Sequence, residues 1–192
     1  MRRRGARLGL CLVRRRVTWP RLRQHGALDQ RLFVYATNSA RLPSLTGAVI
    51  PEPVFDIAGY HDKILAPIYG EVTPIDPDGT LKGEWMNARG AIARFDRDAI
   101  EIRLVDCQEC PRADVAIAQL LFLTAKALCE ERWSSSAFQR GLDTHRLRRL
   151  LDEVARSGEG AVISDTEYLQ VFGKEAASGQ PAGKIWRALA DE

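Results

Sequence analysis

A chain of 192 residues and 21.4 kDa, 45% hydrophobic and 28% charged, is long enough to bury a real core without disulfide support. No apolar run approaches the roughly 18 residues that a membrane-spanning helix needs; the longest, residues 113–125, is broken by Asp114, Gln119 and Thr124. The formal charge of +3 hides an asymmetry: residues 1–31 hold ten arginines and one acid, Asp29, whereas the remainder holds 18 basic and 24 acidic residues.

An arginine-rich head on a mildly acidic body is compatible with a nucleic-acid arm, an organelle transit segment, or residues outside the fold. It is no signal peptide, because its apolar stretch, Leu8 to Val13, runs at once into Arg14, Arg15 and Arg16. Residues 1–31 are therefore expected to lie outside a folded body of residues 32–192. Within that body, Leu32 to Ala36 is a β-prone run leading into a Ser- and Pro-rich surface loop that reaches Val54. Asp56 then caps a helix whose apolar face carries Ile57, Tyr60, Ile64, Leu65 and Ile68, with Pro67 and Gly70 as its expected stop. Pro74 to Gly79 reads as a turn cluster.

From there the period changes to two. Glu84 to Asn87, Ala91 to Phe95 and Ala99 to Asp106 are predicted strands, the last two paired as an antiparallel hairpin. Pro111 opens a helix to about Arg132, apolar nearly all round and so expected to be buried against that sheet. Asp143 caps a further helix that Gly158 stops, Ser164 and Glu167 read as a capping box for Thr166 to Phe172, and Lys184 to Ala190 forms a last short helix. The expected class is α+β, an antiparallel sheet packed against helices.

The chemistry concentrates in Ala99-Ile-Glu-Ile-Arg-Leu-Val-Asp106. Alternation sends Ile100, Ile102 and Leu104 toward a core and Glu101 and Arg103 to the other face, where they form either a structural ion pair or a site for metal and phosphate. Two registers are open. A three-residue loop sets Ala93 opposite Glu101, leaving room for a ligand; a two-residue loop sets Arg94 opposite Glu101 and partly neutralises it.

The run Asn87-Ala-Arg-Gly-Ala-Ile-Ala-Arg-Phe-Asp-Arg-Asp-Ala-Ile-Glu-Ile-Arg-Leu-Val-Asp106, followed by Gln108-Glu-Cys-Pro111, resembles the C-terminal part of the glutamate-cysteine ligase family, in particular its bacterial carboxylate-amine ligase branch. Thr37 to Pro53 also resembles family sequence. The resemblance implies a glutamine synthetase/guanido kinase-like catalytic fold in which ATP phosphorylates a glutamate-like carboxylate and an amine displaces the phosphate. By position, it implies that Glu101 binds Mg²⁺, that Arg103 contacts the ATP γ-phosphate, and that Asp106 secures the strand end. Arg89 and Arg94 become further candidates for phosphate or carboxylate contacts. The family's Gly-x-Glu-x-Glu strand has no counterpart here, so the chain corresponds to a C-terminal half holding part of a metal site. Pairing with a missing N-terminal half, or self-association through an open sheet edge, is then expected.

Cys107-Gln-Glu-Cys110 lacks the second pair that a zinc site requires, and local packing is its expected role. Four cysteines in all are too few for a disulfide framework, which points to a reducing cytoplasm. His25, His61 and His145 stand apart from one another, on surface or loop, and neither a phosphate-cradling glycine loop nor a Gly-x-Ser-x-Gly elbow occurs. Beside the ligase reading stand two alternatives, an inactive remnant or interaction module and nucleic-acid binding through the arginine-rich head.

Overall fold

The structure, a computed structural model, describes residues 26–174 and 179–192. The first element, α1 (Gln30–Thr37), occupies the run expected to be β. The Asp29 carboxylate accepts the Leu32 N–H at 2.9 Å, and that cap decides the local competition in favour of helix. Ala27 is buried, and the N–H groups of Leu28 and Asp29 donate to the carbonyls of Arg156 and Ala155. The fold therefore starts ahead of residue 31, and the remaining head, residues 1–25, lies outside the described residues.

The expected loop that follows contains a single-turn helix, α2 (Pro43–Thr46), with Pro43 in its first turn. Asp56 then caps α3 (Ile57–Tyr60), accepting the Gly59 N–H at 2.7 Å. The helix continues through a π-turn, His61–Leu65, into α4 (Ala66–Val72) and a 3₁₀ turn, Thr73–Ile75. Pro67 and Gly70 do not stop it. Pro67 offers no N–H to the preceding turn and its ring crowds that turn; widening it, with the Ala66 N–H reaching back to the His61 carbonyl, lets the rod pass the proline. Ile64, Leu65, Ile68 and Val72 are buried on one face, packed with Leu42, Leu45, Val54, Tyr60 and Leu81 into a first core.

In the turn cluster beyond, the Asp76 carboxylate accepts N–H groups from Thr80 and Leu81 and the Thr80 hydroxyl, while Gly79 takes φ +66°. Glu84–Met86 is a 3₁₀ turn rather than a strand. The hairpin is present as β1 (Ala91–Arg94) and β2 (Ala99–Ile102), β2 being shorter than expected. Its connection, Phe95 to Asp98, ends on a left-handed Asp98 at φ +49°. That loop is longer than either expected one, so the register is a third: Ile92 faces Glu101, Ala93 faces Ile100 and Ala91 faces Ile102. The Arg103 N–H extends the ladder to the Gly90 carbonyl at 2.8 Å, and a Cβ at Gly90 would sit 2.7 Å from the Leu104 side chain, which would have to shift to admit one.

The facing of the hairpin also reverses the expectation. Ile92 is buried on the side that carries Arg94, Glu101 and Arg103, whereas Ile100 and Ile102 are 75% and 47% exposed on the other. Likewise α5 (Pro111–Cys129) is not a buried helix against this sheet. It buries Ile117, Thr124 and Ala127 but leaves Val115, Ala118, Phe122, Ala125 and Cys129 exposed, a stripe repeating at alternate steps of three and four.

The rest of the chain forms a second core. It contains α6 (Ser136–Arg140), α7 (Thr144–Ser157), capped by Asp143 and stopped at Gly158 with φ +59°, and a short β3 (Val162–Ile163). Next come α8 (Thr166–Val171), β4 (Gln180–Pro181) antiparallel to β3, and α9 (Ala182–Ala190). Asp165, not Ser164, caps α8, accepting the Tyr168 N–H at 3.0 Å. Ala161, Ile163, Leu169, Val171, Phe172 and Ile185 are buried together here, joined at the margin by Leu128, Trp133 and Leu150. The class is α+β, with helix predominating and two two-stranded antiparallel sheets among the described residues. No described helix is long and apolar enough to cross a membrane.

Candidate functional site

Strand alternation places Glu101 and Arg103 on the inner face of the hairpin, and the register brings Arg94 beside them. The Glu101 carboxylate bridges the two guanidinium groups, accepting Arg94 Nη1 on Oε2 and Arg103 Nε on Oε1, each at 2.9 Å. Arg94 spends its other contacts on Asp96, through Nε and Nη2, each at 3.1 Å. Glu84 lies 3.9 Å from Arg94 Nε and accepts the Phe95 N–H at 2.9 Å, tying the 3₁₀ turn to the hairpin loop. Arg103 reaches the carbonyl of Asn87 at 2.6 Å and that of Trp85 at 3.3 Å. The Glu101 side chain retains 40% exposure while those of Arg94 and Arg103 keep only 13% and 19%, so solvent reaches the cluster mainly through its carboxylate.

Hydrogen bonds from Arg103 and then from Arg94 hold the Glu101 carboxyl below its ordinary range, and those from Arg94 do the same for Asp96. The same two carboxylates raise Arg94. Nearby, burial pushes the Tyr35 hydroxyl up, against the opposing pull of the Arg103 charge.

Arg89 is elsewhere. It is buried and forked onto the Glu52 carboxylate, with Nη2 on Oε1 at 2.6 Å and Nε on Oε2, while Nη1 donates to the carbonyl of Ser44 and to Asn87 Oδ1. With four of its five N–H donors spent, Arg89 positions the loop against the hairpin instead of reaching a ligand. Asp106 stands 3.7 Å from Arg31 Nε, and Arg31 also donates to the Leu104 carbonyl at 2.6 Å, so the acid helps to tether the segment after β2 to α1.

Sequence reasoning missed Tyr60, whose hydroxyl accepts the Ala93 N–H at 3.0 Å and Asn87 Nδ2 at 2.8 Å. It also missed Glu84 and Asp96 as partners of Arg94. Only the true register brings these side chains together, and it depends on a loop length that no motif specified. Cys107, Cys110 and Cys129 are free and exposed, which replaces the packing expected of the first two. No group of three His, Cys, Asp or Glu able to hold a metal ion occurs among the described residues.

No family model matches the chain, and no solved structure matches it. An uncharacterized protein of Archaeoglobus fulgidus is 33% identical over 166 residues, covering 82% of this chain and 44% of the relative. The chain thus spans less than half the length of that relative.

Proposed function

We propose that this chain is part of an ATP-dependent carboxylate-amine ligase of the glutamate-cysteine ligase type, one that joins a glutamate-like carboxylate to an amine through an acyl phosphate in the cytoplasm. The observation that carries the reading is the trio of Arg94, Glu101 and Arg103 on one face of a two-stranded hairpin, its two arginines largely buried and its carboxylate partly exposed. In this reading the hairpin is a fragment of a glutamine synthetase/guanido kinase-like catalytic fold. Arg103 and Arg94 orient the triphosphate and stabilise charge on the transferring phosphoryl group, because a planar guanidinium matches phosphate oxygens in pairs.

The donor set fits a divalent cation only in part. Glu101 offers carboxylate oxygens, the ligand type that Mg²⁺ selects, but without two more carboxylates beside it the chain holds no complete cation site among the described residues. With Arg97 3.4 Å from Asp96, the cluster's three acids, Glu84, Asp96 and Glu101, are matched by three arginines, Arg94, Arg97 and Arg103. When bound, Mg²⁺ would neutralise phosphate charge; the arginines and Glu101 would hold the nucleotide in register.

Calorimetry on the full chain tests this. Magnesium-dependent ATP binding that Glu101→Ala weakens about tenfold or more is the expected result, and equal affinity in both proteins counts against the site. A second reading, an inactive remnant or interaction module, is favoured by the internal closure of the cluster, in which the hydrogen bonds of Arg94 and Arg103 all end on protein oxygens. It expects no nucleotide binding in either protein.

A further inference from the structure

Exposure leaves Cys107 and Cys110 without the packing role expected of them. A buried cysteine acts as a small hydrophobe, but these two face solvent, and neither sulfur takes part in a hydrogen bond among the described residues. Metal binding fails as well, because no third His, Cys, Asp or Glu completes a cation site with them among the described residues. The chemistry still open to the two thiols is with each other.

The backbone between them is not a free tether. The chain bends at Glu109 and Cys110 and enters α5, whose N-cap is Cys110 and whose first residue, Pro111, has a fixed φ. Asp114 holds this bend at two points: its carboxylate accepts the Gln108 N–H at 2.8 Å, and its own N–H donates to the Cys110 carbonyl at 3.4 Å. The Ala113 N–H reaches the same carbonyl at 3.0 Å, and the Gln108 side-chain amide reaches back to the Asp106 carbonyl at 2.8 Å. Few torsions between the two cysteines are left to vary. The Cys110 side chain stands where Ser or Asp would cap the helix, yet it makes no capping bond, so its sulfur is uncommitted.

We infer that Cys107 and Cys110 form a dithiol–disulfide pair, a site that small disulfides oxidise and small thiols reduce. In the oxidising direction one thiolate of the pair attacks a sulfur of a low-molecular-weight disulfide, forming a mixed disulfide and expelling one small thiolate. The second cysteine, deprotonated, then attacks the protein sulfur of that mixed disulfide and expels the other. Two protein thiols thus lose two electrons and two protons to give one disulfide, and the small disulfide gains both to give two thiols. In a reducing compartment the dithiol is the resting form and the disulfide a transient one. Cys129 supplies the contrast. It is equally free and exposed, but it ends α5, about 27 Å along the helix from Pro111. The inference goes beyond the ligase reading, since neither thiol belongs to the cluster of Arg94, Glu101 and Arg103.

The test equilibrates the full chain with mixtures of 2-mercaptoethanol and its disulfide, a neutral pair, then alkylates free thiols and maps the peptides by mass. The expected product joins Cys107 to Cys110 and leaves Cys129 fully alkylated. Because the fold holds the bend, the disulfide should be about tenfold or more harder to reduce in the native chain than in the chain unfolded in urea. Asp114→Ala frees the Gln108 N–H and should erase most of that ratio; Asp114→Asn keeps an acceptor there and should restore it, with circular dichroism as in wild type for both. Four results overturn the inference: a disulfide no more stable in the native chain than in the unfolded one, a ratio that Asp114→Ala leaves unchanged, mixed disulfides with the reagent that persist at either cysteine, or bridges that run to Cys129 or Cys11 instead of within the pair. ATP calorimetry on the reduced chain reads the ligase proposal separately.

Discussion

The second core, built around Leu169, and the β1–β2 hairpin treat their apolar residues in opposite ways. Around Leu169, strands β3 and β4 and helices α7, α8 and α9 turn Ile163, Val171, Phe172, Ile185 and Leu189 toward one another, and all are buried. The hairpin buries Ile92 and leaves Ile100 and Ile102 in solvent. Helix α5 does the same with Val115 and Phe122. One region completes its own interior; the other presents one finished side, bearing the charged cluster, and one unfinished side. Hydrophobic burial drives folding wherever it is available, and among the described residues one face of this hairpin goes without it.

The sharpest way to break this contrast is a pair of substitutions. Leu169→Ala should cost about 2–5 kcal/mol in urea denaturation, since it opens a cavity in a closed core. Ile100→Thr should stay within about 0.5 kcal/mol, because its side chain already faces water; comparable losses from both would erase the distinction. Next comes the clamp beneath the hairpin. Glu52→Ala strands the buried Arg89 guanidinium and should cost on the order of 3 kcal/mol, whereas Glu101→Ala, removing a partly exposed carboxylate, should cost under about 1 kcal/mol by the same measurement.

A pH series sharpens the comparison further. Burial raises the Tyr168 hydroxyl from 10.0 to about 12, so its contribution is complete below pH 10.0 and is lost as pH climbs toward 12. That loss, about 2 kcal/mol, belongs to the second core. At the hairpin the signs run the other way: Glu101 and Asp96 are held below their unfolded values of 4.5 and 3.8, so their contributions are present at neutral pH and disappear as pH falls below that range. Thermal melts across acid and alkali should show a loss at each end, the alkaline one removed by Tyr168→Phe and the acid one reduced by Glu101→Gln.

Several elements were legible from the chain alone. Asp56 and Asp143 announced their helices, Gly158 its stop, and alternation put Glu101 and Arg103 on one face, because each of these depends on neighbours in sequence. Three others were not, for physical reasons. Leu32 to Ala36 favours strand by propensity, yet the Asp29 cap and the docking of Leu28 and Asp29 on distant carbonyls select helix. Pro67 ordinarily ends a helix, and here the wider turn before it absorbs the conflict. The pattern Ile100-Glu101-Ile102 reads as isoleucine inward under the rule that apolar groups are buried, but among the described residues it is Ile92, on the opposite face, that finds cover, while Ile100 and Ile102 stay exposed. The composition of the candidate site followed the same logic: Glu101, Arg103 and Arg94 were foreseeable, while Glu84, Asp96 and Tyr60 needed the register.

The bond from Ala93 to the Tyr60 hydroxyl reaches past local geometry. Cross-β growth requires a ribbon able to recruit on both flanks, since each newcomer must itself template the next. A ribbon blocked along one flank cannot pass pairing on from neighbour to neighbour, so even at high concentration this hairpin should not seed fibrils.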